Sequence, residues 1–136
     1  MIFLDSSFLV AFGVDGDANH AKAVEVMRDI VKSAYGPPVI SDYVFDETTT
    51  VTFLRTKELQ KARVVGDAML KAFRMLKVDD EVFRRAWQEF KSQKGTKYSF
   101  TDSTTVELMR QNNIRNIATF DREFRSYKEL VVVGKQ

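Results

Sequence analysis

Residue types that support several common chemistries are missing or scarce in this 136-residue chain. It has no cysteine, which excludes disulfides, zinc ribbons, iron–sulfur clusters and cysteine nucleophiles. The single histidine, His20, lies near a predicted loop-to-helix junction, where we expect it to be exposed rather than catalytic. The single tryptophan, Trp87, lies three residues before Phe90, and this helical spacing predicts core packing rather than a base-stacking surface.

Long apolar runs are also absent, and no segment is long enough to cross a bilayer. The apolar N-terminus, residues 1–12, is interrupted by Asp5 and has no basic region before it, so it does not have the pattern of a signal peptide. We interpret this segment as a buried first strand. The absence of a membrane segment and of cysteine predicts a soluble, cytoplasmic protein.

Short apolar runs alternate along the chain with stretches of helical spacing. Most of these runs are continuous, as expected for strands that helices cover on both faces of a parallel sheet. The predicted strands are residues 2–4, 39–40, 75–78, 117–120 and 130–133. The predicted helices cover residues 19–34, 42–55, 58–73, 81–93 and 101–111. No repeat or linker interrupts the pattern, so we expect one α/β domain over residues 1–136, a three-layer α/β/α sandwich with a mainly parallel sheet.

The formal net charge is only +2, but the basic residues are unevenly distributed. Between residues 55 and 77, where Glu58 and Asp67 are the acids, the basic residues are Arg55, Lys57, Lys61, Arg63, Lys71, Arg74 and Lys77. A second basic cluster consists of Arg84, Arg85, Lys91, Lys94 and Lys97. Two interpretations stay open: a surface that follows a nucleic-acid phosphate backbone, and an ordinary solvated helix face.

Two of the predicted strands are followed directly by an aspartate. Asp5 comes after residues 2–4, and Asp121 comes after residues 117–120. Because the carboxyl ends of parallel strands lie at one edge of the sheet, both carboxylates are expected at the edge where open α/β folds bind ligands. Alternatively, each aspartate is a helix N-cap, a position that Asp favours.

A third acid, Glu47, is predicted on the apolar face of its helix, whereas its neighbour Asp46 points toward the margin of that face. The predicted neighbours of Glu47 on the apolar face are Tyr43, Val44, Val51 and Leu54. A carboxylate in such a position must be paired, protonated or bound to a cation, because an isolated buried charge is costly. A buried salt bridge to an arginine is the alternative to a cation site.

A fourth acid, Asp102, opens the last long helix and shares a face with Val106 and Met109, so it too is expected to face inward. A first-turn acid that complements the helix dipole is the alternative, and the two roles are compatible. The hydroxyl side chains that flank the four acids, and that could orient them or a bound water, are Ser6, Thr101, Ser103 and Thr119.

Four carboxylates gathered without a cation would repel one another and raise their own pKa values. All-oxygen carboxylate sites suit Mg2+ or Mn2+. Such an ion polarises a phosphodiester and activates a water, and a second ion helps to hold the attacking and leaving oxygens. Placement and periodicity therefore predict a divalent-metal site for phosphodiester hydrolysis, with these metal ligands and catalytic residues: Asp5, Glu47, Asp102 and Asp121.

The same acids lie in segments that resemble the four acidic motifs of PIN-domain ribonucleases. In chain order, the segments are IFLDSSFLVA at residues 2–11, SDYVFDET at 41–48, SFTDS at 99–103 and ATFDREF at 118–124. The last is close to the form common in VapC-like toxins. The match spans nearly the whole chain in the expected order, so it is far more specific than any single motif.

The resemblance implies a five-stranded parallel sheet between helices and Mg2+- or Mn2+-dependent endonucleolytic cleavage of RNA. It also implies a homodimer and, for the toxin branch, a VapB-like antitoxin that blocks the site. The acids carry over position by position: Asp5, Glu47 and Asp102 match best as metal ligands, and Asp121 acts on a second ion or on water. The threonine-rich residues 48–52 depart from the leucine-rich family pattern, which affects packing and dimer contacts but not the acids.

Other acidic Mg2+-binding folds fit less well. A response-regulator receiver domain needs an acidic pair after the first strand, where this chain has Asp5 alone, and a haloacid-dehalogenase-like phosphatase needs Asp-x-Asp there. Two alternatives within the PIN-like fold stay open: a catalytically weak module that binds RNA or protein, and a housekeeping RNA-processing nuclease. We predict an endoribonuclease, with the toxin of a VapBC-type toxin–antitoxin pair as the favoured role.

Overall fold

The computed structural model describes residues 1–134 and contains five parallel strands and six α-helices in that range. The strands are β1 (Ile2–Leu4), β2 (Pro38–Ser41), β3 (Arg74–Leu76), β4 (Asn116–Ala118) and β5 (Val131–Val133). The helices are α1 (Ser6–Gly13), α2 (His20–Val31), α3 (Asp42–Thr56), α4 (Leu59–Ala72), α5 (Asp80–Lys91) and α6 (Phe100–Gln111), and a 3-10 helix covers Arg122–Ser126. The predicted α/β class with a five-stranded parallel sheet is confirmed.

The first strand of the chain is the central strand of the sheet, whose order is β3-β2-β1-β4-β5. Phe3 is fully buried and pairs with Val39 on one side and with Ile117 on the other. On the β4 side, Leu4 pairs with Ala118, so the residues that follow them leave the sheet at the same edge. This parallel register gives β1 and β4 a common carboxyl edge.

The N-terminal segment differs from the prediction. The strand covers residues 2–4, as predicted, but Ser6–Gly13 form α1, so extending the strand interpretation to the rest of residues 1–12 was wrong. The side chains from Phe8 to Ala11 are all buried, because α1 packs against both α2 and α3. A short apolar run that is buried on every side lacks the periodicity that separates a helix from a strand. The other strands are displaced from their predicted bounds by one or two residues.

The buried side of α3 consists mainly of threonines rather than of large apolar side chains. Val44, Thr48 and Thr52 form the buried side of the helix. Leu54, in contrast, is 69% exposed, so the apolar face predicted around Glu47 was wrong at that position. The inward face of α3 follows the spacing of Val44 and the two threonines, not that of the larger apolar residues.

In the described part of the chain, no helix combines the length and the apolar character that crossing a bilayer requires.

Candidate metal centre

Asp5 follows β1, and its side chain is almost completely buried, with 2% exposed. The backbone N–H of Asp5 donates to the carbonyl oxygen of Ala118 at 3.0 Å, which extends the β1–β4 pairing by one residue. Its carboxylate Oδ2 accepts hydrogen bonds from Thr119 Oγ1 at 2.7 Å and from Ser7 Oγ at 2.8 Å. The other oxygen, Oδ1, is buried and has no hydrogen-bond partner within residues 1–134. One oxygen of this carboxylate is therefore held by two hydrogen bonds, and the other has no partner among the described residues.

The helix-cap alternative holds for only one of the two strand-end aspartates. Asp5 occupies the N-cap position of α1, but its side chain makes no capping hydrogen bond. Asp121 does cap the 3-10 helix, because its Oδ1 accepts from the backbone N–H of Glu123 at 2.9 Å. The backbone N–H of Asp121 donates in turn to Thr119 Oγ1 at 3.0 Å. Thr119 thus contacts both aspartates.

Asp102 combines the two roles expected for it. Its backbone N–H donates to Ser99 Oγ, and its Oδ2 accepts from the Ser99 N–H, both at 3.0 Å, so the two residues form a capping box. The side chain is also buried, as are Val106 and Met109 on the same face of α6. The cap fixes the carboxylate at the N-terminal end of the helix, facing the interior.

Glu47 lies in the middle of α3 and is partly buried, whereas Asp46 is exposed. The hydroxyl of Ser6, at the start of α1, donates to Glu47 Oε1. Within residues 1–134, Glu47 forms no ion pair, so it lacks the arginine partner of the salt-bridge alternative. A neutral hydroxyl orients this carboxylate without cancelling its charge.

The electrostatics connect the four predicted acids. Burial raises the pKa of Asp5 to about 6; the hydroxyls of Thr119 and Ser7 lower it, and the charges of Glu47 and Asp121 raise it further. Burial also raises the pKa of Asp102 to about 7, and the charge of Asp5 is the next largest cause. The Ser99 N–H opposes this rise, whereas Asp121 and Glu47 add to it. The structure therefore brings the four carboxylates into one shared field at the carboxyl edge of the sheet.

The acids do not form a closed ligand cage. Among the described residues, no group of three or more histidine, cysteine, aspartate or glutamate side chains is placed so that together they could hold a metal ion. The arrangement is an open acidic site, in which the most buried member, Asp5, has a bare oxygen.

The flanking hydroxyls only partly match the expectation. Ser6 and Thr119 contact acids, as described above, but the buried Ser103 Oγ has no partner within residues 1–134. Thr101 contributes its carbonyl oxygen, which accepts from the Thr104 hydroxyl at 2.6 Å. Ser7 was not predicted to contact the acids. Its position two residues after Asp5, a spacing typical of local side-chain hydrogen bonds, was the available signal.

Ser7 connects the loop after β4 to the first acidic motif. Besides donating to Asp5, its Oγ accepts from the backbone N–H of Phe120 at 3.0 Å and lies 3.1 Å from Thr119 Oγ1. The side chain therefore joins the segments that follow β1 and β4, and it fixes the separation between Asp5 and the residues leading to Asp121.

Two predictions for isolated aromatic residues need correction. Trp87 is 46% exposed, so the predicted core packing was wrong. Its ring stacks on that of Phe90, with 5.6 Å between centroids and 17° between planes, so the helical spacing did predict their contact. His20 is half-buried rather than exposed, and its Nδ1 lies 2.9 Å from the carbonyl oxygen of Ala11. This contact ties the start of α2 to α1.

One residue of the first basic cluster lies beside the acids. Arg55, near the end of α3, forms an ion pair with Asp17 at 2.7 Å. Although partial burial raises the pKa of Asp17, the guanidinium of Arg55 and the N–H of Asn19 hold it below its usual value. Arg55 also lines a shallow cavity of about 220 Å³ together with Ser6 and Ser7, which contact the acids.

A five-stranded parallel sheet with acids gathered at its carboxyl edge is the arrangement of a PIN domain. The PIN domain family model matches residues 2–130. The chain belongs to the PIN-domain family, in its VapC-like branch. PIN domains are nucleases, so the enzyme class expected from the sequence is confirmed.

Particular relatives support this assignment. The chain is 31% identical, over 91% of its length and 92% of the relative, to the 23S rRNA-specific endonuclease VapC20 of Mycobacterium tuberculosis. The crystal structure of that bacterium's VapC20, described as a sarcin–ricin loop cleaving toxin, matches with a TM-score of 0.83 and 29% identity, covering 94% of this chain and 95% of the other. VapBC2 from Rickettsia felis, bound to a promoter DNA fragment, matches at 15% identity with a TM-score of 0.71, covering 100% and 99%, and shows the fold alone.

Proposed function

We propose that the chain is a Mg2+- or Mn2+-dependent endoribonuclease and the toxin of a VapBC-type toxin–antitoxin pair, acting in the cytoplasm as one domain over residues 1–136. The observation that carries the proposal is the environment of Asp5. Its buried carboxylate has one oxygen held by two hydroxyls and one oxygen bare, and the field of the other acids acts on it. The proposed metal ligands and catalytic residues are Asp5, Glu47, Asp102 and Asp121.

The residues fit a hydrated divalent cation. The donor set is made of carboxylate oxygens, which hard cations prefer, and no thiol is available to select a softer metal. Asp5 Oδ1 is buried without a hydrogen-bond partner within residues 1–134, and the pKa values of Asp5 and Asp102 are raised. Both features are expected where no cation balances the charge of the carboxylates. Mg2+ keeps several waters and takes one or two carboxylates directly, so an open site is adequate.

When bound, the ion supplies Lewis-acid polarisation of the phosphodiester and a site for activating water. The chain supplies orientation. Thr119 and Ser7 hold Asp5, Ser6 holds Glu47, and the capping box with Ser99 holds Asp102. Because these partners are hydroxyls and N–H groups rather than cations, they fix the carboxylates without supplying a competing positive charge.

Protonation of Asp5 and Asp102 competes with cation binding at the proposed metal site. With pKa values raised to about 6 and about 7, Asp5 and Asp102 retain protons into the neutral range when no cation is bound. A cation that engages these carboxylates must displace the protons. In Asp121, Oδ1 accepts the capping N–H of Glu123, which leaves Oδ2 for a second ion or for water.

The proposed partners are an RNA substrate, a second copy of the chain and a VapB-like antitoxin. The likeness to the VapC20 toxin supports the toxin role. A surface suited to an apolar peptide is present: a cleft of about 400 Å³ between α1, α2 and α4 that includes the exposed side chains of Phe12, Val31 and Val64. The housekeeping-nuclease alternative lacks such a partner, so the reading frame next to the gene discriminates between the two.

The test is cleavage of a structured RNA pool that includes 23S rRNA, the substrate named for the M. tuberculosis relative. Purified protein is assayed with Mg2+, with Mn2+ and with EDTA, beside the Asp5→Asn variant. We expect metal-dependent cutting that the variant lacks. Binding of the same RNA without cutting, in a folded protein free of antitoxin, would instead support the binding-module alternative.

A further inference from the structure

Five aromatic rings form one connected surface beside the acidic site, which we term the aromatic platform. Its members are Tyr43, Phe83, Trp87, Phe90 and Phe100. Phe100 is the hub. Its ring centroid lies 5.0 Å from that of Phe83, 6.1 Å from Tyr43, 6.2 Å from Phe90 and 6.3 Å from Trp87. Rings from three helices, α3, α5 and α6, therefore hold one another in place.

The outer part of the platform is open. Phe83 and Trp87 are 48% and 46% exposed, which is unusual for large aromatic side chains in a packed sandwich. Phe90 supports one face of the Trp87 ring, and the Lys91 ammonium lies 5.8 Å from its centroid, near the limit of a cation–π contact. The indole is thus a flat surface held by the rings of Phe90 and Phe100, with a flexible cation nearby.

Basic side chains border the open rings. At about 100° per residue, Lys91 and Arg84 lie roughly 40° and 60° from Trp87 on the solvent side of α5. Within residues 1–134, neither cation forms an ion pair. Lys94 follows the helix, and the acids at its N-terminal end are Asp79, Asp80 and Glu81, of which Glu81 pairs with Arg85. Exposed aromatic rings beside free cations are the combination that binds single-stranded nucleic acid.

The platform is continuous with the four acids. Phe100 is two residues before Asp102 in α6, and Tyr43 is one helical turn before Glu47 in α3. A nucleotide strand whose phosphate lies at the carboxylates reaches these inner rings first and the exposed rings of α5 next.

We propose that the aromatic platform stacks unpaired bases of the RNA substrate beside the cleavage site, while Arg84 and Lys91 contact the adjoining phosphates. This inference rests on the proposed ribonuclease function and adds a base-stacking surface outside the four acids. Charge favours RNA over a second copy of the chain as the occupant. A two-fold contact centred on Trp87 would bring the same cations of both copies together.

The sole tryptophan of the chain makes the test direct, because Trp87 is the only source of indole fluorescence. The Asp5→Asn protein in EDTA, which binds without cutting, is titrated with a short single-stranded oligoadenylate and with duplex RNA of the same length. We expect strong quenching by the single strand and little quenching by the duplex, since only unpaired bases stack on an indole.

Labelled-RNA anisotropy then measures affinity in variants. Trp87→Ala and Phe83→Ala should each weaken oligoadenylate binding roughly five- to hundredfold, the range for loss of one stacked base. Phe53→Ala is the matched control, because Phe53 is 43% exposed but contacts none of the platform rings. Circular dichroism verifies that each variant is folded.

Two results would overturn the proposal. One is saturable oligoadenylate binding with unchanged Trp87 emission and an unchanged affinity in Trp87→Ala. The other is emission that changes with protein dilution but not with RNA, together with a switch from dimer to monomer in Trp87→Ala, which would identify a self-association surface. Cleavage by the wild-type chain is scored separately. Cutting without quenching rejects the platform alone, whereas quenching without cutting rejects the catalytic proposal and keeps the platform.

Discussion

Thr119 Oγ1 donates a 2.7 Å hydrogen bond to Asp5 Oδ2, although the two residues are 114 positions apart in the chain. The same hydroxyl oxygen accepts the backbone N–H of Asp121. One small side chain therefore sets the positions of both strand-end aspartates. Because a hydroxyl carries no positive charge, it orients the carboxylates without competing with a divalent cation for them.

Replacing Asp5 with asparagine should separate stability from activity. Asp5→Asn removes a buried charge at nearly constant volume, so the metal-free protein at pH 7 should melt at a higher temperature, by about 2–6 °C for a stabilisation near 1 kcal/mol. Cleavage should fall by more than about 100-fold, the upper limit for losing an outer-shell partner of a metal. Calorimetry in EDTA and an RNA cleavage assay measure the two effects.

The matched control for that experiment is Asp46→Asn, which removes an exposed acid next to Glu47. It should leave the melting temperature and the cleavage rate nearly unchanged. A fully active Asp5→Asn protein would remove Asp5 from the proposed metal site.

The effect of divalent metal on stability should depend on pH. The folded-state pKa values of Asp5 and Asp102, about 6 and about 7, exceed the ordinary value of 3.8. Between about pH 4 and pH 7 the metal-free folded state therefore holds protons that the unfolded chain has released, so these acids make stability fall as pH rises. Added Mg2+ or Mn2+ should offset the loss, raising the melting temperature little at pH 5 and most above pH 7. An equal metal effect at pH 5 and pH 8 would contradict this assignment.

Removing the Thr119 hydroxyl should shift the pH dependence of cleavage. Thr119→Val deletes the hydrogen bond that lowers the pKa of Asp5, so its carboxylate should ionise at higher pH. We expect metal affinity to fall about 10- to 100-fold and the rising limb of the pH–rate profile to move upward. Thr119→Ser keeps the hydroxyl and should restore both. A uniform loss of rate with no change in the profile would indicate a packing role alone.

Binding of RNA by the Asp5→Asn protein should weaken as salt concentration rises, because basic side chains, among them Arg84 and Lys91, are proposed to contact phosphates. Arg55→Gln should reduce the slope of log affinity against log salt by about 1, since Arg55 lines the cavity beside Ser6 and Ser7. Lys32→Gln, in the loop that leads into β2 at the opposite edge of the sheet, is the control. A flat salt dependence would remove the basic helices from RNA binding.

The proposed homodimer is tested by size-exclusion chromatography with light scattering. A mass of twice 15.6 kDa is expected for the isolated chain. A mass of one chain at every concentration would reject the dimer without affecting the assignment of the acids.

The sequence predicted those parts of the fold that are marked by hydrophobic periodicity or by a position at the end of a strand or helix. Asp5 and Asp121 follow strands, so placing them at one sheet edge needed only the rule for parallel strands. Asp102 was placed by its position in the first turn of a helix. The first helix was missed because residues from Phe8 to Ala11 are buried on every side, which leaves no polar face for periodicity to detect.

Other features depend on tertiary packing that local patterns do not describe. The spacing of Trp87 and Phe90 predicted that the two rings pack together. It did not reveal that no other part of the described fold covers Trp87, which is 46% exposed. Ser7 has a short-range partner in Asp5, yet its contact with the Phe120 N–H exists only when β1 and β4 are paired. The environment of Glu47 differed from the prediction because two buried threonines, not Leu54, define the inner face of α3.

The strand order also determines when the acidic site is complete during synthesis. In chain order, the central strand β1 comes first among the five described strands, whereas one of its two neighbours, β4, comes fourth. A nascent chain that ends before Asn116 already contains Asp5 and Asp102, but it lacks both the hydroxyl of Thr119 and the carboxylate of Asp121. Under the proposed function, a nascent chain therefore cannot complete the acidic site, and cleavage cannot begin, until the residues that follow β4 have been synthesised.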